Sequence, residues 1–201
     1  MPLTQAGLGQ GVAPIGAKVI EGFGKALRKA IGEVPKSKPK EESCFHSELK
    51  KMPDIEEFVW HLHQSGCPPV CFVYAFVYIC RMSELNSGKV ELSPRTVHRL
   101  LLAAITVAAK MQQPESFDAS FYAHVGDVSV AELNQLESKF FELLQWKADV
   151  PWQTCQFHSI CINSPFWSYE AKASEARNSF GESPNWCDLK THPSHPQPVM
   201  T

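Results

Sequence analysis

The sequence predicts an all-α fold, a single domain of five helices, and three observations carry that reading. Between Pro53 and Asn163 apolar residues recur at helical spacing, capping and proline signals mark the helix boundaries, and the connections between them are short. Composition agrees, since 201 residues with 44% apolar and 20% charged side chains suit one globular domain with tails.

The first helix, Asp54 to Gln64, places Ile55, Phe58, Val59 and Leu62 on one face, and Ser65-Gly66 ends it. Pro68-Pro69 opens the second, Val70 to Met82, which is apolar on nearly every side and is expected to be buried. Asn86-Ser87-Gly88 reads as a turn. The third helix starts at a serine N-cap followed by proline, Ser93-Pro94, and runs from Arg95 to Met111. Arg95, Arg99, Thr106 and Lys110 fall within roughly 60° of one another, a narrow polar strip on an alanine-rich, largely apolar cylinder. Lys110 sits in the last turn, where the helix dipole favours a cation.

Ser129-Val130-Ala131-Glu132 is a capping box, with Val128 and Leu133 as its hydrophobic staple, so the start of the fourth helix is well marked. Leu133, Leu136, Phe140, Leu143 and Leu144 form its apolar face, and Glu137 projects from within that face. A carboxylate there needs a cationic partner, in its own domain or on another protein. The last apolar residue of this run is Trp146, and Pro151 begins a fifth helix through Cys155, Phe157, Ile160 and Ile162.

The flanks read differently. Residues 1–43 carry seven Lys/Arg against four Asp/Glu and end in a Pro/Lys/Glu-rich stretch, as expected of a mostly flexible basic arm. Within it Ile20, Phe23, Leu27, Ile31 and Val34 recur at helical spacing beside Lys25, Arg28 and Lys29. A short amphipathic helix over residues 18–34 could dock on a partner or touch an anionic membrane, although glycines interrupt it. Residues 164–201 read as a largely disordered tail, which leaves residues 44–163 as the folded box.

Several function classes are disfavoured. A net charge of −2 provides no basic field for nucleic acid. No signal peptide is recognisable, and the apolar stretch Leu100 to Ala109 is too short for a transmembrane segment. The expected location is therefore intracellular, in the cytoplasm, the nucleus or both. Seven scattered cysteines point to reduced thiols. His61, His63, Cys67 and Cys71 are zinc-ligand types, but two histidines two residues apart on a helix point about 200° from each other. No cofactor motif and no nucleophile, phosphate-loop or paired-carboxylate motif stands out, so an enzyme is not expected.

The order and spacing of these pieces resemble a cyclin box, and one branch in particular. Phe45-His46-Ser47, Thr96-Val97-His98-Arg99-Leu100-Leu101, Val107-Ala108-Ala109-Lys110, Tyr122-Ala123-His124-Val125-Gly126 and Glu132-Leu133-Asn134-Gln135-Leu136-Glu137 look like the P-type cyclins, the phosphate-pathway type that includes plant P/U-type relatives. The resemblance covers roughly Ser43 to Asn163. It implies a regulatory subunit that packs on the αC helix of a cyclin-dependent protein kinase and activates it. In that family a lysine ending the third box helix and a glutamate in a later helix make polar contacts with the kinase, which maps onto Lys110 and Glu137. Met111, Phe141 and Trp146 fall where the family presents apolar surface, and on spacing alone the two aromatics are equally readable as core.

Three departures accompany the resemblance. Cys80 precedes Arg81 where an acid is common, Gln112-Gln113 follow the third helix where acids are common, and Asp54 to Gln64 lacks the substrate-docking motif of mitotic cyclins. A different class, an adaptor or transcription-factor-like module of the same fold, needs a basic face for phosphates, and Arg95, Arg99 and Lys110 supply only a thin strip.

Overall fold

The computed structural model describes residues 15–33, 43–47, 52–86, 90–115 and 117–162. These residues form seven helices and no strand: α1 (Ile15–Glu33), α2 (Ile55–Gln64), α3 (Pro69–Leu85), α4 (Val97–Gln112), α5 (Ala119–Val125), α6 (Val130–Leu143) and α7 (Trp152–Ile162). The fold is therefore all-α as expected, with α1 and α5 added to the five anticipated helices.

Helix α4 is the axis of the domain. From Val97 to Ala109 every residue except Arg99 is buried, and α2, α3, α5 and α6 all pack against it. Its alanines at 103, 104, 108 and 109 have no side chain beyond Cβ to hold neighbours away. The helix begins later than Ser93-Pro94 suggests. Both the Thr96 and Val97 N–H groups donate to the Ser93 carbonyl at 3.0 and 2.9 Å, and the Thr96 hydroxyl donates to the Glu91 carbonyl at 2.6 Å. The serine-proline pair thus closes a tight turn, and regular helix starts at Val97.

The flanking helices follow their sequence signals closely. Asp54 caps α2 by accepting the Glu56 N–H at 3.0 Å. Gly66, at φ 113°, ends it: the Gly66 and Cys67 N–H groups return to the His63 and Leu62 carbonyls at 3.0 and 3.2 Å, a closure that needs a left-handed residue. Helix α3 is enclosed by α1, α4 and α7, consistent with its lack of a polar face. Helix α5 is only seven residues long, too short to show a period, and is marked instead by its Asp118 cap on the Ser120 N–H at 2.8 Å.

The N-terminal segment departs from expectation. Instead of belonging to a flexible arm or offering its apolar face to a membrane or partner, α1 spans 19 residues and buries Val19, Ile20, Phe23, Ala26, Leu27 and Ala30 within the domain. It packs on α2, α3 and α7, and Phe23 meets Phe72 and Phe76 edge-on at 5.8 and 5.9 Å. Arg28 pairs with both Asp54 and Glu56 at the start of α2. Two of the glycines that seemed to interrupt the helix are contact points: a Cβ on Gly22 would stand 2.5 Å from the Ile162 carbonyl oxygen, and one on Gly24 3.1 Å from Glu56 Cγ. The remainder of the basic arm, Val34, the Ser87-Gly88 turn and the tail after Ile162 lie outside the described residues.

Two predictions follow from this packing. Gly22→Ala should lower unfolding free energy by about 1–3 kcal/mol in urea titrations, because the Ile162 backbone must move. Gly32→Ala, on the same helix with nothing within 4 Å, should instead raise it by about 0.5–1 kcal/mol. Equal effects at the two sites would show that α1 is not docked on α7.

Acid sensitivity is also built into α4. Buried His98 holds Nε2 at 2.9 Å from the Pro53 carbonyl while its Nδ1 has no hydrogen-bond partner among the described residues, and burial pushes its pKa below the ordinary 6.5. The unfolded chain therefore binds the proton more readily, so stability present above pH 6.5 is lost as the pH falls through that value. His98→Gln should flatten the dependence of the thermal midpoint on pH between about 7 and 5 relative to wild type.

Candidate partner-binding surface

The polar strip of α4 turns toward α6, which supplies carboxylate partners for two of its cations, Arg99 and Lys110. Arg99 Nη2 pairs with Glu132 Oε1 at 2.5 Å, and its Nη1 donates to the Cys44 carbonyl at 3.0 Å. Thr106, fully buried, donates to the Leu102 carbonyl one turn back at 2.8 Å. Lys110 Nζ donates to Glu137 Oε2 at 2.6 Å. Arg95 remains exposed before the helix begins. The capping box accordingly works in one direction: Ser129 Oγ accepts the Glu132 N–H at 3.1 Å, while the Glu132 carboxylate engages Arg99.

The carboxylate of Glu137 thus finds its cation inside the domain, and that cation is the other charge the sequence singled out. The pair is uneven: the Glu137 side chain is 11% exposed and that of Lys110 38%. The lysine covers the acid and still reaches solvent. A second contact fixes it from the loop after α4, where Lys110 Nζ lies 4.9 Å from the centre of the Phe117 ring.

One turn beyond Glu137 on the same face of α6 stands Phe141, followed by the helix end. There the Gln145 N–H donates to Glu142 O at 3.0 Å and the Trp146 N–H to Phe141 O at 3.0 Å. This is the paired closure that glycine usually makes, but here Gln145 and Trp146 adopt φ of 52° and 61°. The apolar contact that accompanies such closures is the stack of Trp146 on Phe141, with ring centres 5.6 Å apart and an 18° interplanar angle. Trp146 is 72% exposed and Met111, next to Lys110, is 50% exposed, so neither belongs to the core.

Helix α3 and its C-cap residue Asn86 hold the strained turn in place. The Tyr78 hydroxyl donates to Ala148 O at 2.8 Å, Asn86 Nδ2 donates to Leu143 O at 2.6 Å, and Arg81 Nη1 donates to the carbonyls of Lys147 and Asp149. Arg81 therefore has backbone partners where the expected acidic neighbour is replaced by Cys80. None of these three residues was marked as functional by the sequence, nor was Phe117. Their signals were a polar residue on an apolar helix and an aromatic in a polar loop.

His61 is exposed, His63 Nδ1 lies 3.2 Å from the Cys67 carbonyl, and among the described residues no group of three His, Cys, Asp or Glu side chains could hold a metal ion. The buried Cys67 thiol is pushed up by its hydrogen bond with Cys71 and by desolvation, so it stays protonated. No described helix is long and apolar enough to cross a membrane.

Comparison with known proteins places this arrangement in context. A family model described as "Cyclin" matches residues 24–148. Cyclin-U1-1 of Arabidopsis thaliana is 31% identical over 148 residues, 73% of this chain and 62% of that protein. Cyclin-U3-1 of Arabidopsis thaliana is 39% identical over 97 residues, 48% of this chain and 42% of that protein. Cyclin-P3-1 of Oryza sativa subsp. japonica is 38% identical over 98 residues, 49% of this chain and 40% of that protein. The matched segments thus span less than two thirds of these relatives.

The uneven burial of the Lys110–Glu137 pair makes its removal informative. Lys110→Met leaves Glu137 nearly buried without a cation and should cost about 1–3 kcal/mol in chemical denaturation. Adding Glu137→Leu should recover most of that loss, because both charges are then replaced by apolar groups. Additive losses in the double variant would mean the two side chains do not interact.

Proposed function

Because the chain belongs to the cyclin family, in its P/U-type branch, we propose that it binds and activates a cyclin-dependent protein kinase inside the cell, in the cytoplasm or nucleus. Members of this family are regulatory proteins, not catalysts, and the partner surface is the one built around Lys110, Met111, Glu137, Phe141 and Trp146. The observation that carries the reading is the Phe141–Trp146 stack, half-buried at Phe141 and 72% exposed at Trp146, beside a half-exposed lysine, on a turn of two left-handed residues held by Tyr78 and Arg81 of α3 and its C-cap Asn86. Large aromatic surface beside a fixed polar pair is the composition of an interface centre.

The physical basis of activation is differential binding. An active kinase needs the glutamate of its αC helix paired with its β3 lysine, and a subunit that packs only on that arrangement shifts the population toward it. Moving a kinase from about 1% to about 99% active requires roughly 5.5 kcal/mol of preference for the active form. A rigid aromatic plate can supply part of this by desolvation, since little ordering cost is left to offset. Lys110 adds direction: one of its three N–H donors is spent on Glu137, and the others remain for acceptors on the partner. The adaptor reading loses support, because Glu132 and Glu137 offset the charges of Arg99 and Lys110 and leave the strip little net positive field for phosphates.

A charge swap separates the internal role of the pair from its external one. Lys110→Glu and Glu137→Lys each place like charges together, whereas the double variant restores the internal pair and inverts what the surface presents. The double variant should melt within a few degrees of wild type yet lose kinase capture and kinase stimulation by ten-fold or more. Wild-type capture by a folded double variant would assign the pair a purely internal role.

A further inference from the structure

We infer that Phe117 is a positioning residue for Lys110, which makes the loop between α4 and α5 part of the partner-binding apparatus; this rests on the kinase-binding reading above. Lysine has four rotatable bonds and presents a point charge with no preferred geometry, so an unrestrained Lys110 would lose much freedom on docking. Here two partners hold it before any kinase arrives: Glu137 Oε2 at 2.6 Å and the Phe117 ring, whose centre lies 4.9 Å from Nζ. The carboxylate sets the distance from α6, and the electron-rich ring face favours a cation in one further direction.

Phe117 can do this only because it is itself fixed. Its ring stacks on Tyr122 with centres 5.3 Å apart and a 9° interplanar angle, and Tyr122 is 6% exposed. Tyr122 in turn meets Phe121 edge-on at 5.0 Å. On the backbone, the next residue, Asp118, caps α5 through the Ser120 N–H at 2.8 Å. A chain of contacts therefore runs from the buried face of α5 through an aromatic stack to the ammonium of Lys110. Removing the ring while keeping an apolar side chain should leave the fold intact and free the lysine.

The test uses the full chain and purified cyclin-dependent kinase catalytic subunits. In the free wild-type protein the Lys110 δ- and ε-methylene protons should show upfield ring-current shifts in NMR spectra, which Phe117→Leu abolishes and Phe117→Trp retains. Kinase affinity should fall about three- to tenfold in Phe117→Leu, recover in Phe117→Trp, and not fall further when Phe117→Leu is added to Lys110→Met. Unshifted Lys110 protons in the wild type, or a Phe117→Leu variant that binds as wild type while Lys110→Met does not, would overturn the positioning role and leave the interface standing. An equal loss from Phe117→Leu in the Lys110→Met background would overturn it too, by making Phe117 a direct contact. If Lys110→Met binds as wild type, the interface reading itself is wrong, and the inference goes with it whatever the NMR spectra show.

Discussion

Nearly everything in this domain follows from one helix having no side left for water. Helix α4 is buried from Val97 to Ala109 save for Arg99, so its neighbours must cover it on all faces and its few polar groups must find partners inside the protein. Helices α2, α3, α5 and α6 cover its apolar positions, and α6 also supplies the carboxylates for Arg99 and Lys110. An apolar axis of this kind gains free energy from any close neighbour. The strip is what selects an orientation, because Arg99 and Lys110 must lie against Glu132 and Glu137 in the same order along both helices. Misregistered packing would leave charges partly buried and unpaired, which costs several times what a lost apolar contact does.

The candidate surface grows from the exposed end of that same seam. Lys110 emerges where α4 ends, Glu137 supports it from α6, and Phe141 continues the line one turn on to the Trp146 turn. Folding and recognition are thereby coupled through shared atoms. A substitution that disturbs the ion pair affects stability and surface shape together, so loss of binding by a single charge variant is ambiguous, whereas a swap that restores the internal pair is not. Such coupling also fits the local strain: two consecutive non-glycine residues in the left-handed region persist only where surrounding contacts over-determine them. The hydrogen bonds from Tyr78, Arg81 and Asn86 supply that over-determination.

Helix α1 shows how far local composition can mislead. Its glycines lower helix propensity, and its basic neighbours suggested a surface element. Packing reverses the argument, since the absence of a Cβ at Gly22 is what lets α7 approach, and burial of Val19, Ile20, Phe23 and Leu27 outweighs the propensity penalty. With Arg28 clamped to Asp54 and Glu56, α1 also restrains the start of α2, the same place that His98 holds from the opposite helix through Pro53.

The sequence by itself determined the all-α class, the marked starts at Asp54, Pro68 and Ser129, the stop at Gly66, the burial of α3 and α4, and the oddity of Glu137. These are local matters of cap chemistry, proline geometry and periodicity, which a chain carries wherever it folds. Resemblance to known members then pointed to Lys110, Met111, Phe141 and Trp146. Tertiary structure alone decided that Lys110 and Glu137 face each other, that Phe141 and Trp146 form an outward stack instead of core, that Phe117 reaches Lys110, and that α1 belongs to the domain. Each of these depends on contact between elements distant in the chain, or on a turn conformation that residue identity disfavours. Such choices are made by the global packing minimum, where α4 must be covered and its charges matched.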